Sequence, residues 1–423
     1  MAISSIRTHL HPTHATPEPL LREIIEKFER LNCHNEPDSK KNTPQQERTS
    51  LLALDTFALS RVFSFLPSTL ENRTVCSQFR GAFDLHIETI LNDLQKDLTI
   101  RDLFPRFFNI PLMGVGVLQR YQAILTRTQT ILDTLPQEIR ATFPYTAEAI
   151  LKNPPIFLDL LNTSMAISRI TLSEALGGAA LDTTKDLETQ EEIAITKISS
   201  QEAKEKTLVG LFGKGICILP PEIGNLTALQ SLYLNNNQLT SLPDAIGALT
   251  ALKVLSLNGN QLTSLPNTIC ALTALKDLYL NNNKLTFLPD AIGKLSELYQ
   301  LHLNNNQIQD LPKEIGNLTA LQKLYLNQNQ LTSLPDAIGK LWRLDQLALA
   351  NNQIQDLPKE IGNLNFLQVL ALTNNQLTSL PDAIGTLTAL KELYLGGNQL
   401  TSLPGTIGAL AALKRLGLGN NRA

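Results

Sequence analysis

From residue 229 onward the apolar positions follow a fixed order. Leu229, Leu232, Leu234, Leu239, Leu242 and Ile246, closed by Gly247, recur with a period of 23 residues. One asparagine keeps the same place in every copy: Asn237, Asn260, Asn283, Asn306, Asn329, Asn352, Asn375, Asn398 and Asn421. The segment LTSLPDAIG at Leu239–Gly247 returns letter for letter at Leu331–Gly339 and Leu377–Gly385. Leu232 and Leu234 have the period-2 spacing of a short strand, whereas the LPxxIGxL half changes to spacings of three and four, as a helical or 3₁₀ return requires. Pro243 presets φ at the start of that return, and Gly247 is expected to end it in the left-handed region. Cys270 stands in place of this glycine in one copy.

A single unit has one layer of leucines and cannot bury them alone. Stacked units can: parallel strands about 4.8 Å apart would give nine strands a sheet on the order of 38 Å long. The leucines then form an internal column, and the asparagine side chains ladder onto backbone groups of the turns. The pattern L-x-x-L-x-L-x-x-N-x-L closely resembles the leucine-rich repeat, with an LPxxIGxL ending like its 23-residue type. The resemblance covers Leu229–Asn421. An imperfect forerunner with LPPEIG at Leu219–Gly224, an irregular LVGLFGK and Lys214 in place of the asparagine is expected to act as a cap. The implied fold class is α/β: an α-helical N-terminal region followed by a solenoid with a curved parallel sheet on its concave face and short returns on its convex face.

In that family the strand positions facing outward carry the binding information. The position between the strand leucines reads Tyr233, Ser256, Tyr279, His302, Tyr325, Ala348, Ala371, Tyr394 and Gly417. Two residues earlier stand Ser231, Val254, Asp277, Gln300, Lys323, Gln346, Val369, Glu392 and Arg415. Tyr233, Tyr279, His302, Tyr325 and Tyr394, with Asp277 and Lys323, are therefore the candidate partner-binding residues, since amphipathic aromatic side chains are enriched at interfaces. Tyr279, His302 and Tyr325 are consecutive and should lie side by side. The plainer reading is that tyrosine is a good strand residue inherited through duplication.

The first half of the chain has another pattern. Residues 1–50 are polar and rich in His, Pro, Asn and Lys, which predicts a partly disordered arm with one short helix at Leu20–Leu31. In Leu52–Asp84, Leu59, Val62, Phe63 and Leu66 fall on one helical face, Asp55 can cap that helix and Pro67 ends it. A second helix follows, with Val75, Phe79, Phe83, Ile87, Ile90 and Leu94 on one side. Leu54, then Leu59-x-x-Val62-Phe63-x-x-Leu66, then Val75-Cys76-x-x-Phe79-Arg80 resemble an F-box, with Asp55 where that family usually has proline. The resemblance implies that Leu54, Leu59, Val62, Phe63 and Leu66 contact a Skp-type adaptor. Residues 96–205 form a connector in which prolines, including Pro154 and Pro155, divide helical patterns such as 118–132 and 147–161 into short helices. The charged run 182–206 is expected to be a solvated helix or linker, and 206–423 the repeat domain.

Composition narrows the function. The 423 residues are 43% apolar, enough for a sizeable core, and carry a formal charge of -3, which gives no electrostatic footprint for nucleic acid. No apolar run is long enough to span a membrane, and the N-terminus lacks the form of a signal peptide. Cys33, Cys76, Cys217 and Cys270 have no CxxC spacing and are expected to be small core residues in a reducing compartment. GLFGKG at Gly210–Gly215 lacks the glycine and the Ser/Thr of a phosphate loop. Cys76 and His86 fall within a helical apolar pattern without a third group to orient them.

No catalytic set, metal site or cofactor site emerges, and the chain is not expected to be an enzyme. The nucleophilic domain that follows the repeats in bacterial leucine-rich-repeat ubiquitin ligases is not expected here. An F-box before such repeats resembles the substrate receptors of cullin-type ubiquitin ligases, with a protein target on the concave face. The alternative is a binding scaffold or sensor with no ubiquitin link, resembling intracellular signalling modules or bacterial effectors. Either implies a cytoplasmic location, the host's in the case of an effector. The last unit, ending at Arg422 and Ala423, is expected to leave Leu416 and Leu418 partly uncovered and to fray.

Overall fold

The computed structural model describes residues 117–143, 146–151 and 154–422. The polar arm and the whole F-box-like segment, with Leu54, Leu59, Val62, Phe63 and Leu66, lie outside the described residues. Among the described residues six helices come first: α1 (Val117–Thr134), α2 (Gln137–Arg140), α3 (Ala147–Leu151), α4 (Pro154–Ala175), α5 (Leu187–Ile198) and α6 (Gln201–Lys204). The 147–161 pattern is divided before Pro154 as expected, but Pro154 and Pro155 do not keep the second piece short. They open α4, a 22-residue helix, because the first turn has no intrahelical acceptor for its N–H groups and so loses nothing to proline. Asp186 caps α5 by accepting from the Thr189 N–H, and Ser200 caps α6 through the Ala203 N–H.

Ten strands of three residues each follow: β1 (Leu208–Gly210), β2 (Ser231–Tyr233), β3 (Val254–Ser256), β4 (Asp277–Tyr279), β5 (Gln300–His302), β6 (Lys323–Tyr325), β7 (Gln346–Ala348), β8 (Val369–Ala371), β9 (Glu392–Tyr394) and β10 (Arg415–Gly417). They form one open parallel sheet in sequence order, with every pairing offset by 23 residues. The forerunner thus supplies a regular strand, β1, in register with β2, although its spelling is irregular. Each of β1 to β9 is followed by a five-residue 3₁₀ return such as Asp244–Ala248, entered from a proline whose φ is fixed near its natural value, −68° at Pro243.

One apolar core runs through all the coils. Leu232, Leu255, Leu278, Leu301, Leu324, Leu347, Leu370 and Leu393 are fully buried, as are the isoleucines of the returns from Ile223 to Ile384. The core also continues backward into the helices, where Leu172, Leu176, Ile198 and Ala203 join it. The charged run is therefore more than a solvated linker: α5 buries Ala194 and Ile198 and shields the first coil. Arg169 ties the two together, donating from Nη1 to Glu191 on α5 and from Nη2 to Glu222 of the first return at 2.8 Å.

The asparagine at the ninth position of the unit closes each coil. Asn306 Nδ2 donates to Leu280 O of the coil before and to Leu303 O of its own, both at 3.0 Å, and its Oδ1 accepts from the Leu285 N–H at 3.0 Å. The same three bonds recur from Asn237 to Asn421. Such a side chain satisfies three backbone groups that stacking removes from water.

Gly247 has no positive φ, so the left-handed end expected there is not what selects glycine. A Cβ on Gly247 would sit 2.8 Å from the Thr268 carbonyl oxygen of the following coil, and one on Gly316 only 2.4 Å from that of Ala337. Close stacking of successive returns excludes the side chain. The left-handed residue lies instead just before the ladder asparagine, at Asn236, Gly259, Asn282, Asn305, Gln328, Asn351, Asn374, Gly397 and Asn420. Asn and Gly are the residues that tolerate this region.

At the C-terminal edge Leu416 and Leu418 are 41% and 38% exposed, in line with the expected open face.

Candidate functional site

The alternation within each three-residue strand sends its central leucine into the core and its first and third residues to the open face of the sheet. Register then decides which outward side chains meet. Tyr279 pairs with His302, and His302 with Tyr325. Their ring centroids stand 4.7 and 4.6 Å apart with tilts of 48° and 46°, within the range of favourable aromatic contact. The three rings form a continuous run across β4, β5 and β6, as the sequence implied.

The run is uncharged. Burial, with a smaller contribution from Lys323, pushes the His302 imidazole down to about 4, so it is neutral at physiological pH. Burial first, and then Asp277 for Tyr279 or Asp345 for Tyr325, pushes both phenols up and keeps them protonated. A polar line runs beside the rings: Gln300 Nε2 donates to Asp277 Oδ1 at 3.1 Å, and Gln300 Oε1 lies 3.3 Å from His302 Nε2. The Tyr325 hydroxyl donates to Gln346 Oε1 at 2.5 Å. Gln300 orients the imidazole and Gln346 fixes the third ring.

The other candidates are not part of this run. Tyr233 is separated from Tyr279 by β3, whose Ser256 is buried. Tyr394 is separated from Tyr325 by the alanines of β7 and β8, and its hydroxyl donates to Glu392 Oε2 at 2.7 Å. Glu392 in turn pairs with Arg415 Nη1 at 3.0 Å. Lys323 opens β6 between Gln300 and Gln346.

Comparison with known proteins identifies the architecture. The leucine-rich repeat region model matches residues 218–306 and 337–422, and the leucine rich repeat model matches 296–354, so the two together cover every coil from the second onward. This is a leucine-rich repeat protein. No curated protein matches the chain. Among solved structures, a leucine-rich repeat protein of Leptospira interrogans is 36% identical, with 52% of this chain and 69% of that one covered and a TM-score of 0.41. The ectodomain of the plant membrane receptor kinase GASSHO1/SCHENGEN3 from Arabidopsis thaliana, in complex with CASPARIAN STRIP INTEGRITY FACTOR 2, is 39% identical over 48% of this chain and 26% of its own, with a TM-score of 0.45. The plant peptide hormone receptor RGFR1 in complex with RGF2 is 28% identical over 48% of this chain and 42% of its own, with a TM-score of 0.40. The leucine-rich repeat chain thus spans less than half of either plant receptor.

Two features of these repeats escaped the sequence reading. A second ladder runs through Asn258, Asn281, Asn304 and Asn327, each Oδ1 accepting from the backbone N–H 23 residues on at 2.8 Å. Its signal was the asparagine-rich stretch just after each of β3 to β6. An exposed cluster of Trp342, Arg343 and Phe366 also stands where most repeats spell Thr-Ala-Leu, and that departure was visible in the sequence.

Proposed function

We propose that the strand face binds a segment of another protein, with Tyr279, His302 and Tyr325 as its anchor and Tyr233, Tyr394, Asp277 and Lys323 around it. The observation that carries this reading is the uncharged aromatic run across three adjacent strands, with its polar line alongside. Rings held by neighbours lose little freedom on binding. The role is binding rather than catalysis. In the finer form of the proposal, the helices around Leu54, Leu59, Val62, Phe63 and Leu66 hold a Skp-type adaptor in the cytoplasm, and the repeats present the bound protein to a cullin-type ubiquitin ligase. A rigid solenoid would raise the effective concentration of the target's lysines near the conjugating enzyme. The sequence Leu52–Asp84 supports that finer form.

Two experiments separate the levels. Tyr279→Ala, His302→Ala and Tyr325→Ala together should weaken a native partner by about 3 kcal/mol or more, with the repeats still folded. Unchanged affinity would remove the strand face from the reading. Val62→Glu with Phe63→Glu should abolish co-purification with a Skp-type adaptor while leaving the target bound. If the unmodified chain captures no adaptor, the ubiquitin role falls and the binding role stands.

A further inference from the structure

The edge of the sheet where the chain comes into its strands is monotonous. After each return the repeats place a small residue and then, most often, alanine: Thr250-Ala251, Thr273-Ala274, Thr319-Ala320 and Thr388-Ala389. Two adjacent coils break the pattern with Trp342-Arg343 before β7 and Asn365-Phe366 before β8. These side chains are not needed to build a coil. The returns Asp336–Lys340 and Lys359–Asn363 have the same five-residue 3₁₀ form as those followed by Thr-Ala. Nor are they buried, since Trp342 is 43% and Phe366 57% exposed.

They are nevertheless organised. The Trp342 and Phe366 rings meet edge to face at 5.9 Å, and the Arg343 guanidinium lies 4.7 Å over the indole. Stacking holds the guanidinium plane and leaves its N–H edges free for a bidentate acceptor. Among the described residues Arg343 makes no ion pair, even with Asp345 two residues on, and the neighbouring Lys340 is exposed. Two adjoining aromatic faces beside an unpaired, pre-oriented cation fit one chemistry: a carboxylate next to a large apolar side chain.

We propose that Trp342, Arg343 and Phe366 form a second protein-binding site on the edge of the solenoid, distinct from the strand face. It takes an acidic-apolar segment of a partner, with a Glu or Asp carboxylate on the Arg343 fork and an apolar side chain over the indole and phenyl rings. Tryptophan and arginine are the residues that most often dominate binding energy at interfaces, and an exposed cluster of this kind has no role in the core.

The test uses the full chain. Random peptides displayed on phage are selected on it, and the recovered clones are assayed against the triple variant Trp342→Thr, Arg343→Ala, Phe366→Ala. That variant restores residues the other coils carry at those positions, so its fold is preserved. Clones that lose about tenfold or more in affinity on the variant should share an acidic residue beside a large apolar one. Synthetic peptides from those clones should shift the emission of Trp342, the sole tryptophan of the chain, to shorter wavelength. Changing their acid to its amide should cost about tenfold. Clones that bind the variant as well as the parent, or that lose binding without an acidic residue, overturn the proposal. So would an indole already shielded from acrylamide in the free monomer, which would mean that another part of this chain covers the site. A dimer that the triple variant dissolves would make a second copy the occupant and equally overturn it.

Discussion

Arg127 Nη2 donates to the Cys217 carbonyl oxygen over 2.7 Å, joining α1 to the first coil across 90 residues of sequence. The same guanidinium reaches Gln238 O at 2.9 Å, and the residue is only 5% exposed. Burial lowers its pKa, yet arginine keeps its charge, so the interaction is a buried cation held by backbone carbonyls. Arg127→Met should cost about 2–4 kcal/mol, because it leaves both carbonyl oxygens without that donor. Urea unfolding should show the loss concentrated in the first coils, since a solenoid couples mainly between neighbours.

Asn306 tests the ladder in the middle of the stack. Replacing it by leucine removes acceptor and donor together and strands the Leu285 N–H and the Leu280 and Leu303 carbonyls. A loss of about 3 kcal/mol is expected, more than an exposed polar substitution could give. Hydrogen exchange should speed up at Leu285 and its neighbouring coils. Exchange unchanged there would mean that ordered water replaces the side chain at little cost.

The repeat geometry was legible because period and chemistry agree: leucines every 23 residues fix register, and the buried asparagine fixes the turn. What misled was local. Gly247 looked like a terminator by its place after Ile246, but the constraint on it comes from Thr268 O in the next coil, which local spacing does not show. Pro154 and Pro155 do separate α3 from α4, but their place in the first turn lets α4 run on for 22 residues, so the expected short helix is a long one. The Tyr279–His302–Tyr325 run was readable since equal spacing makes it inevitable, whereas the edge contact of Trp342 with Phe366 joins non-equivalent positions of adjacent coils. No fixed offset reveals such a pair.

Gln328 is the one residue among the nine left-handed positions that is neither asparagine nor glycine, with φ at 56°. Asparagine suits this region better, and at neighbouring coils it adds rungs, as between Asn305 and Asn282 at 2.7 Å and between Asn374 and Asn351 at 2.8 Å. Gln328→Asn should therefore stabilise the repeats by about 0.5–1 kcal/mol, read as a higher urea midpoint at unchanged slope. A lower midpoint would show that the longer glutamine makes a compensating contact.

His302 makes stability depend on pH in a definite direction. In the unfolded chain its imidazole takes a proton as pH falls through about 6.5, whereas in the fold burial and Lys323 hold it neutral until about 4. Between those values the unfolded state binds more protons, so stability falls as pH falls through this window and levels off below it. The ring is only partly buried, so solvent screening makes the effect modest, and carboxylates titrating in the same range add their own slopes. A variant isolates the histidine. His302→Tyr continues the ring run with the residue found at Tyr279 and Tyr325 and removes the titration. The difference in urea midpoint between parent and variant should shift against the parent as pH is lowered from about 7 to about 4, and remain constant above about 7. A difference independent of pH would mean that His302 titrates alike in both states, and that the middle ring of the run is charged whenever a free histidine would be.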